Sequence, residues 1–240
     1  MALHKLTALI DKVLTAYNDY EFHVVYHAIH KFCVVDMSNF YFDIRKDCLY
    51  VEKANHPHRR AVQTVLYEIV NALVRLLTPI LAFTSEEIYS FLPKAANAPA
   101  SVQLLDMPKV RPEWFDEALA EKWDRILMIR EMITKNLEIA RKEKVIGHSL
   151  DAAITVYARE EDNALLSSLG DFFASVCIVS QAQVKTWAEK PDDLAGEDGL
   201  AVAVSPAAGQ KCDRCWIYST EIGKYPKHSD LCPRCAQVME

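Results

Sequence analysis

Four cysteines in two pairs, Cys212-x2-Cys215 and Cys232-x2-Cys235 with sixteen residues between the pairs, constrain this chain more tightly than any other feature. Thiolate is a soft, charged ligand, and two such knuckles set four sulfurs around one tetrahedral zinc ion without help from the rest of the polypeptide. Asp213-Arg214 and Pro233-Arg234 fill the knuckles, while Lys211, Lys224 and Lys227 stand near enough to offset the net negative charge of a zinc with four thiolates. The alternatives are a disulfide pair or a redox CxxC. No signal-like segment marks an oxidising compartment, and no βαβ pattern surrounds either CxxC, which favours the metal. Between the knuckles, Trp216-Ile217-Tyr218, then Gly223 and Tyr225-Pro226, predict a short hairpin carrying exposed aromatics, hence a zinc ribbon. So small a unit has almost no core, and one structural Zn2+ would supply its folding free energy, on the order of 10–16 kcal/mol in small zinc peptides.

The ribbon says little about the preceding two hundred residues, whose composition is that of a globular protein: half apolar, a quarter charged, and only 6 glycines in the whole chain. No run of eighteen apolar residues exists, so no membrane partner is expected and the chain reads as cytoplasmic. Cys33, Cys48 and Cys177 sit among apolar neighbours and read as buried thiols. The net charge of -6 excludes a uniformly basic surface that coats nucleic acid, but leaves room for local basic patches.

Periodicity divides the remainder. Leu3, Leu6, Ile10, Val13, Leu14 and Tyr17 share a helical face from the first residues onward, with no capping residue ahead of them, which reads as entry in mid-helix. A second helix runs through Phe22, Val25, Ile29 and Phe32. Asp36 to Lys46 is dense in aromatic and capping residues and reads as a short turn. Val62 to Leu77 keeps three- and four-residue steps, and Thr84-Ser85-Glu86-Glu87 has the form of a capping box opening a short helix before Pro93. These elements give a helical bundle over residues 1–93. A linker and one long helix, Trp114 to Lys144 with Gly147 as its stop, occupy 94–147. Residues 148–205 read as a small α/β module with strands at 152–157, 176–179 and 201–204 and a helix from about Asp162 to Phe173; 206–240 is the ribbon. The fold class is thus mainly α.

At this order of parts a family resemblance emerges. Asp36-Met37-Ser38-Asn39-Phe40-Tyr41 with Asp43-Ile44-Arg45-Lys46-Asp47, and Leu77-Thr78-Pro79-Ile80-Leu81-Ala82-Phe83-Thr84-Ser85-Glu86-Glu87, resemble the anticodon-binding helical domain of class I aminoacyl-tRNA synthetases of the isoleucyl, valyl and leucyl group. Arg141 to Ala152 is similar to the junction that follows this domain in the isoleucyl enzymes, and a terminal four-cysteine ribbon is a bacterial isoleucyl feature. The resemblance implies a monomeric C-terminal portion that recognises isoleucine tRNA. The HIGH and KMSKS signatures of the catalytic fold are absent, so ATP, aminoacylation and editing belong to parts outside these residues.

Sequence-specific RNA binding splays unpaired bases onto aromatic rings while Lys and Arg hold phosphates. Asn39, Phe40, Tyr41, Arg45 and Lys46 supply amide, ring and charge in one segment, and Lys211, Arg214 and Trp216 supply charge and ring again in the ribbon. Phe40 and Tyr41 can equally be core, whereas Trp216 has almost no core to fill. His23, His27 and His30 have metal-ligand spacing on one helical face but no carboxylate to complete a set, and His148 reads as a loop residue. Two other readings compete: a formamidopyrimidine-type DNA glycosylase, which ends in a similar ribbon but needs an N-terminal Pro-Glu, and a free-standing zinc interaction module.

Overall fold

The computed structural model describes residues 1–240, which divide into two compact units: Met1–Leu49 with Ala54–Ala120, and Tyr50–Lys53 with Glu121–Glu240. The first is helical. α1 (Ala2–Asn18) turns Leu6, Ile10 and Val13 inward and ends at Tyr20, a residue in the left-handed region at φ 59°. The Glu21 N–H donates to the Ala16 carbonyl at 2.8 Å, closing the six-residue loop of a Schellman stop. α2 (Phe22–Lys31) returns with Val25 and Ile29 on the core side.

α2 then runs without interruption into a π-helix over Phe32–Tyr41, which passes directly into α3 (Phe42–Val51). The aromatic segment read as a turn is therefore helical throughout. Its i→i+5 winding is wider than an α-turn and sends Phe32, Met37, Phe40 and Tyr41 inward together. Asp36 pairs with Lys5 of α1, anchoring the π-helix to the first helix.

α4 (Pro57–Leu77) and α5 (Ala82–Phe91) match the expected helices, but the capping box does not form. Leu81 caps α5 without a side-chain bond; the Glu86 carboxylate instead accepts from the Ser101 hydroxyl at 2.7 Å and the Val102 N–H at 3.0 Å. This holds the linker against the bundle, with Val102 buried beside Val74 and Tyr89.

In the second unit, which takes in α6 (Glu117–Lys142) from Glu121 onward, this helix lays Ile129, Ile133, Leu137 and Ala140 into the core of the α/β module. It stops at Lys144, left-handed at φ 62°, before Gly147 is reached. β1 (Ala152–Ala158) is followed by two short helices, α7 (Glu160–Ser167) and α8 (Phe172–Cys177), where one was expected. Then come β2 (Gln181–Thr186), β3 (Gly196–Glu197) and β4 (Leu200–Pro206). The sheet order is β2-β1-β4-β3, with β1 parallel to β2 and antiparallel to β4. The strand expected at 176–179 is displaced: Val176 and Cys177 finish α8, Ile178 at φ 57° ends it, and pairing begins at Gln181. A bidentate Arg125–Asp162 pair ties α6 to α7.

The ribbon hairpin pairs β5 (Gln210–Lys211) with β6 (Tyr218–Ser219), and α9 (Pro233–Met239) closes the chain. Gly209 opens the hairpin at φ 93°, where a Cβ would lie 2.3 Å from the Ser219 backbone, so only glycine fits. The mainly α architecture with a small sheet module and a cysteine ribbon is as the sequence predicts. No helix is long and apolar enough to cross a membrane.

Candidate functional site

The four cysteines meet as their spacing requires. Cys212 follows β5 and Cys215 lies a knuckle later, whereas Cys232 caps α9 and Cys235 sits in its first turn. All four Sγ atoms lie within 4.8 Å of one another, and Cys215 and Cys232 are 3.7 Å apart. Tetrahedral zinc with sulfurs at about 2.3 Å needs them about 3.8 Å apart, so the donor set fits this ion. Around the sulfurs the apolar lining is thin: Leu231, Ala236 and Val51, the last from the Tyr50–Lys53 stretch assigned to this unit.

Electrostatics prepare the Cys212 thiol and resist ionisation of Cys215 and Cys235. Burial opposes a thiolate at Cys212, but backbone N–H groups of Cys215, Cys232 and Arg214 outweigh it and bring the group down to about 7. Cys215 is pushed well above the ordinary thiol range by burial, with the neighbouring Cys232 and Cys235 sulfurs adding to the shift. Cys235 is raised to about 11, again by burial, even though Arg214 donates toward its sulfur at 3.7 Å. Several negative sulfurs at this separation would need a cation between them, a charge that a bound zinc would supply.

The RNA-contact residues expected from sequence separate into two groups. Phe40 and Tyr41 are buried, at 5% and 6% exposure, and the Tyr41 ring packs in the bundle with Phe32 and Met37. Burial pushes the Tyr41 hydroxyl upward, against the neighbouring Arg45 charge. Asn39 and Lys46 stay exposed, Lys46 paired to Asp43 at 2.6 Å, while Arg45 is half-buried with its guanidinium 5.8 Å from the Tyr41 ring. In the ribbon, Trp216 is 59% exposed and left-handed at φ 67°, with the Lys211 ammonium 5.3 Å from its ring. Arg214 is turned toward Cys235, which gives it a place in the sulfur cluster.

His23, His27 and His30 do not converge with other ligands; the cysteines form the one such group. His148 caps a 3-10 turn, its Nδ1 accepting from the Leu150 N–H at 3.2 Å. Cys177 is buried, and burial pushes its thiol up to about 12; Cys33 and Cys48 are half-buried.

The family model described as "anticodon-binding domain of tRNA ligase" matches residues 1–157, well over half of the chain. The chain belongs to this family. A second model, "zinc finger found in FPG and IleRS", matches residues 209–238 and spans all four cysteines. The ribbon alone therefore does not separate a glycosylase from a synthetase, and the anticodon-binding domain ahead of it does. Among curated proteins the chain is 52% identical to the isoleucine–tRNA ligase of Carboxydothermus hydrogenoformans over 99% of its own length and 25% of the relative's. It is 49% identical to that of Desulforamulus reducens, covering all of this chain and 26% of the relative, and 46% identical to that of Bacillus cereus, over 99% and 26%. This anticodon-binding domain and its ribbon thus span about a quarter of the length of the curated relatives.

Proposed function

We propose that this chain is the tRNA-recognising portion of an isoleucine–tRNA ligase and that it binds the anticodon arm of isoleucine tRNA. One observation carries the reading: an anticodon-binding domain and a synthetase-type zinc finger lie on one chain, and relatives that carry the isoleucine–tRNA ligase name match it from end to end. An acidic protein holds a polyanion only through local basic sites. Arg45 and Lys46 near the π-helix, with the exposed Asn39, form one contact region; Lys211 with the exposed Trp216 forms the other. Trp216 offers a ring face to an unpaired base, and the cations hold phosphates.

Cys212, Cys215, Cys232 and Cys235 would hold one Zn2+ whose role is structural, fixing the hairpin that presents Trp216. Ligation of isoleucine with ATP belongs to the whole enzyme, in the cytoplasm, and this chain, a monomer, neither activates isoleucine nor hydrolyses mischarged tRNA. Electrophoretic titration against isoleucine tRNA and valine tRNA tests the reading. Tighter binding of the isoleucine species is expected, and equal binding of the two would overturn the assignment. Isoleucine-dependent pyrophosphate exchange above background would refute the division of labour.

A further inference from the structure

α2 has two faces of different chemistry. Val25 and Ile29 are buried in the bundle, while Phe22 and Tyr26 stand 51% and 60% exposed on the other side among the exposed His23, His27 and His30. Tyr26 is stacked on His30, with centroids 5.6 Å apart and planes at 30°, and meets His27 edge-on at 5.2 Å. Residues four apart lie one turn up the same face, so Phe22, Tyr26 and His30 form a ladder of rings.

The ladder continues into the α1–α2 turn. Tyr20 is 80% exposed and touches Phe22 edge-on at 6.5 Å. It occupies the left-handed stop of α1, the position that helices usually give to glycine, at a cost of roughly 1–2 kcal/mol. A strained, exposed ring at that position does nothing for the core.

The charge on this face says what would cover it. α2 contains no carboxylate, and Lys31 follows His30 at its end; the acids nearby, Asp19 and Glu21, lie in the turn. The exposed Phe83 and Phe91 of α5 make a contrast, since that helix carries Glu86 and Glu87 and no cation. Rings with a basic end and no acids along the helix suit a polyanion with flat faces. α2 also leads directly into the π-helix, whose exposed Asn39 belongs to the contact region proposed above.

Resting on that reading, we infer that Tyr20, Phe22, Tyr26 and His30, with Lys31 at one end, form a second stacking surface for unpaired RNA bases. Base faces lie on the rings, and the phosphates run toward Lys31, away from Asp19 and Glu21.

Fluorescence anisotropy on the full chain, with the isolated anticodon stem-loop of isoleucine tRNA and a fully paired RNA stem as the two probes, tests it. Tyr26→Ala should weaken stem-loop binding by about 5- to 150-fold, the loss of one stacked base, and leave the paired stem within about twofold. Tyr26→Phe keeps the ring and should bind as the wild type does. Because Tyr26 lies on the outer face, thermal melting should show both variants folded. If the wild type binds the stem-loop and Tyr26→Ala binds it equally well, the surface is not used and the tRNA reading stands. Equal losses on loop and stem, or a loss in Tyr26→Phe, would overturn stacking as the cause. A wild type that binds neither probe would remove the tRNA reading and this surface with it.

Discussion

Trp216→Gly separates the two roles open to an exposed ring. With 59% of Trp216 exposed, about 100 Å² of the roughly 250 Å² that a tryptophan can bury is covered, worth about 2.5 kcal/mol at about 25 cal/mol/Å². The Lys211 ammonium over the ring adds about 0.5–1 kcal/mol at an exposed site. Glycine recovers the roughly 1–2 kcal/mol that a left-handed backbone costs a tryptophan at φ 67°. The net loss is therefore about 1–2.5 kcal/mol, against the order of 10–16 kcal/mol that zinc supplies to a small ribbon, so the metal should stay bound. Trp216→Ala keeps the strained backbone and should be the less stable of the two. If the ring stacks on an anticodon base, Trp216→Gly should lose about 1–3 kcal/mol of affinity for the isoleucine stem-loop, and less for a non-cognate loop. Zinc analysis, thermal melting and titration on the same preparation read the three quantities. Loss of zinc with unchanged affinity per folded molecule would mean that the ring is part of the ribbon's structure and that its assignment to RNA is wrong.

Other consequences can be checked directly. The purified chain should hold one zinc, and Cys232→Ser should lose it; a content below about 0.2 per chain after chelator-free purification would contradict the sulfur geometry. Arg45→Ala and Lys46→Ala should weaken binding of all tRNAs alike and flatten the salt dependence by about one unit of slope each, whereas a cognate-only effect would place these side chains on bases. Burial raises Cys177 from an ordinary 9.0 to about 12, so the fold retains a neutral thiol: its contribution is intact below pH 9 and is lost as the pH climbs toward 12. Between about pH 9 and 10 the wild type should lose about 1 kcal/mol more stability than Cys177→Ala, measured by denaturant melts, and parallel losses would show that the thiol is not held in the apolar core. Removing Asp162 as Asp162→Asn should cost about 1.5–3 kcal/mol, because its two charged bonds to Arg125 fasten α7 to α6; an unchanged melting point would show the pair to be idle.

Residue chemistry with strict local spacing was legible in the chain itself. Two CxxC pairs bring four sulfurs together almost regardless of the surrounding fold, because each knuckle is set by its own backbone. The three- and four-residue steps of Val62 to Leu77 mark α4 for the same kind of reason, since a helix face depends on near neighbours alone. What tertiary packing decided lay where local signals were balanced. Val176 and Cys177 suit strand or helix equally, and the helix won because Ile178 turns left-handed and the parallel partner of β1 starts at Gln181. Glu86 had the position of a capping residue, but the linker offered its carboxylate two donors at Ser101 and Val102.

The aromatic segment shows the limit most clearly. Asn39, Phe40 and Tyr41 look alike as candidates for a ligand because sequence gives their types and not their directions. An α-turn, a loop and a π-turn rotate successive side chains by different amounts, and no residue pattern in this stretch announces the wider winding. Contacts of α1 with α2 and the π-helix, among them Lys5 with Asp36, hold that winding in place, so Tyr41 enters the bundle core, Phe40 is buried and Asn39 remains in solvent. Sequence thus determined which elements exist and where a metal could sit, through interactions that span a few residues. Which rings are left free to meet an RNA base was decided by packing between helices, an interaction across tens of residues that no local pattern encodes.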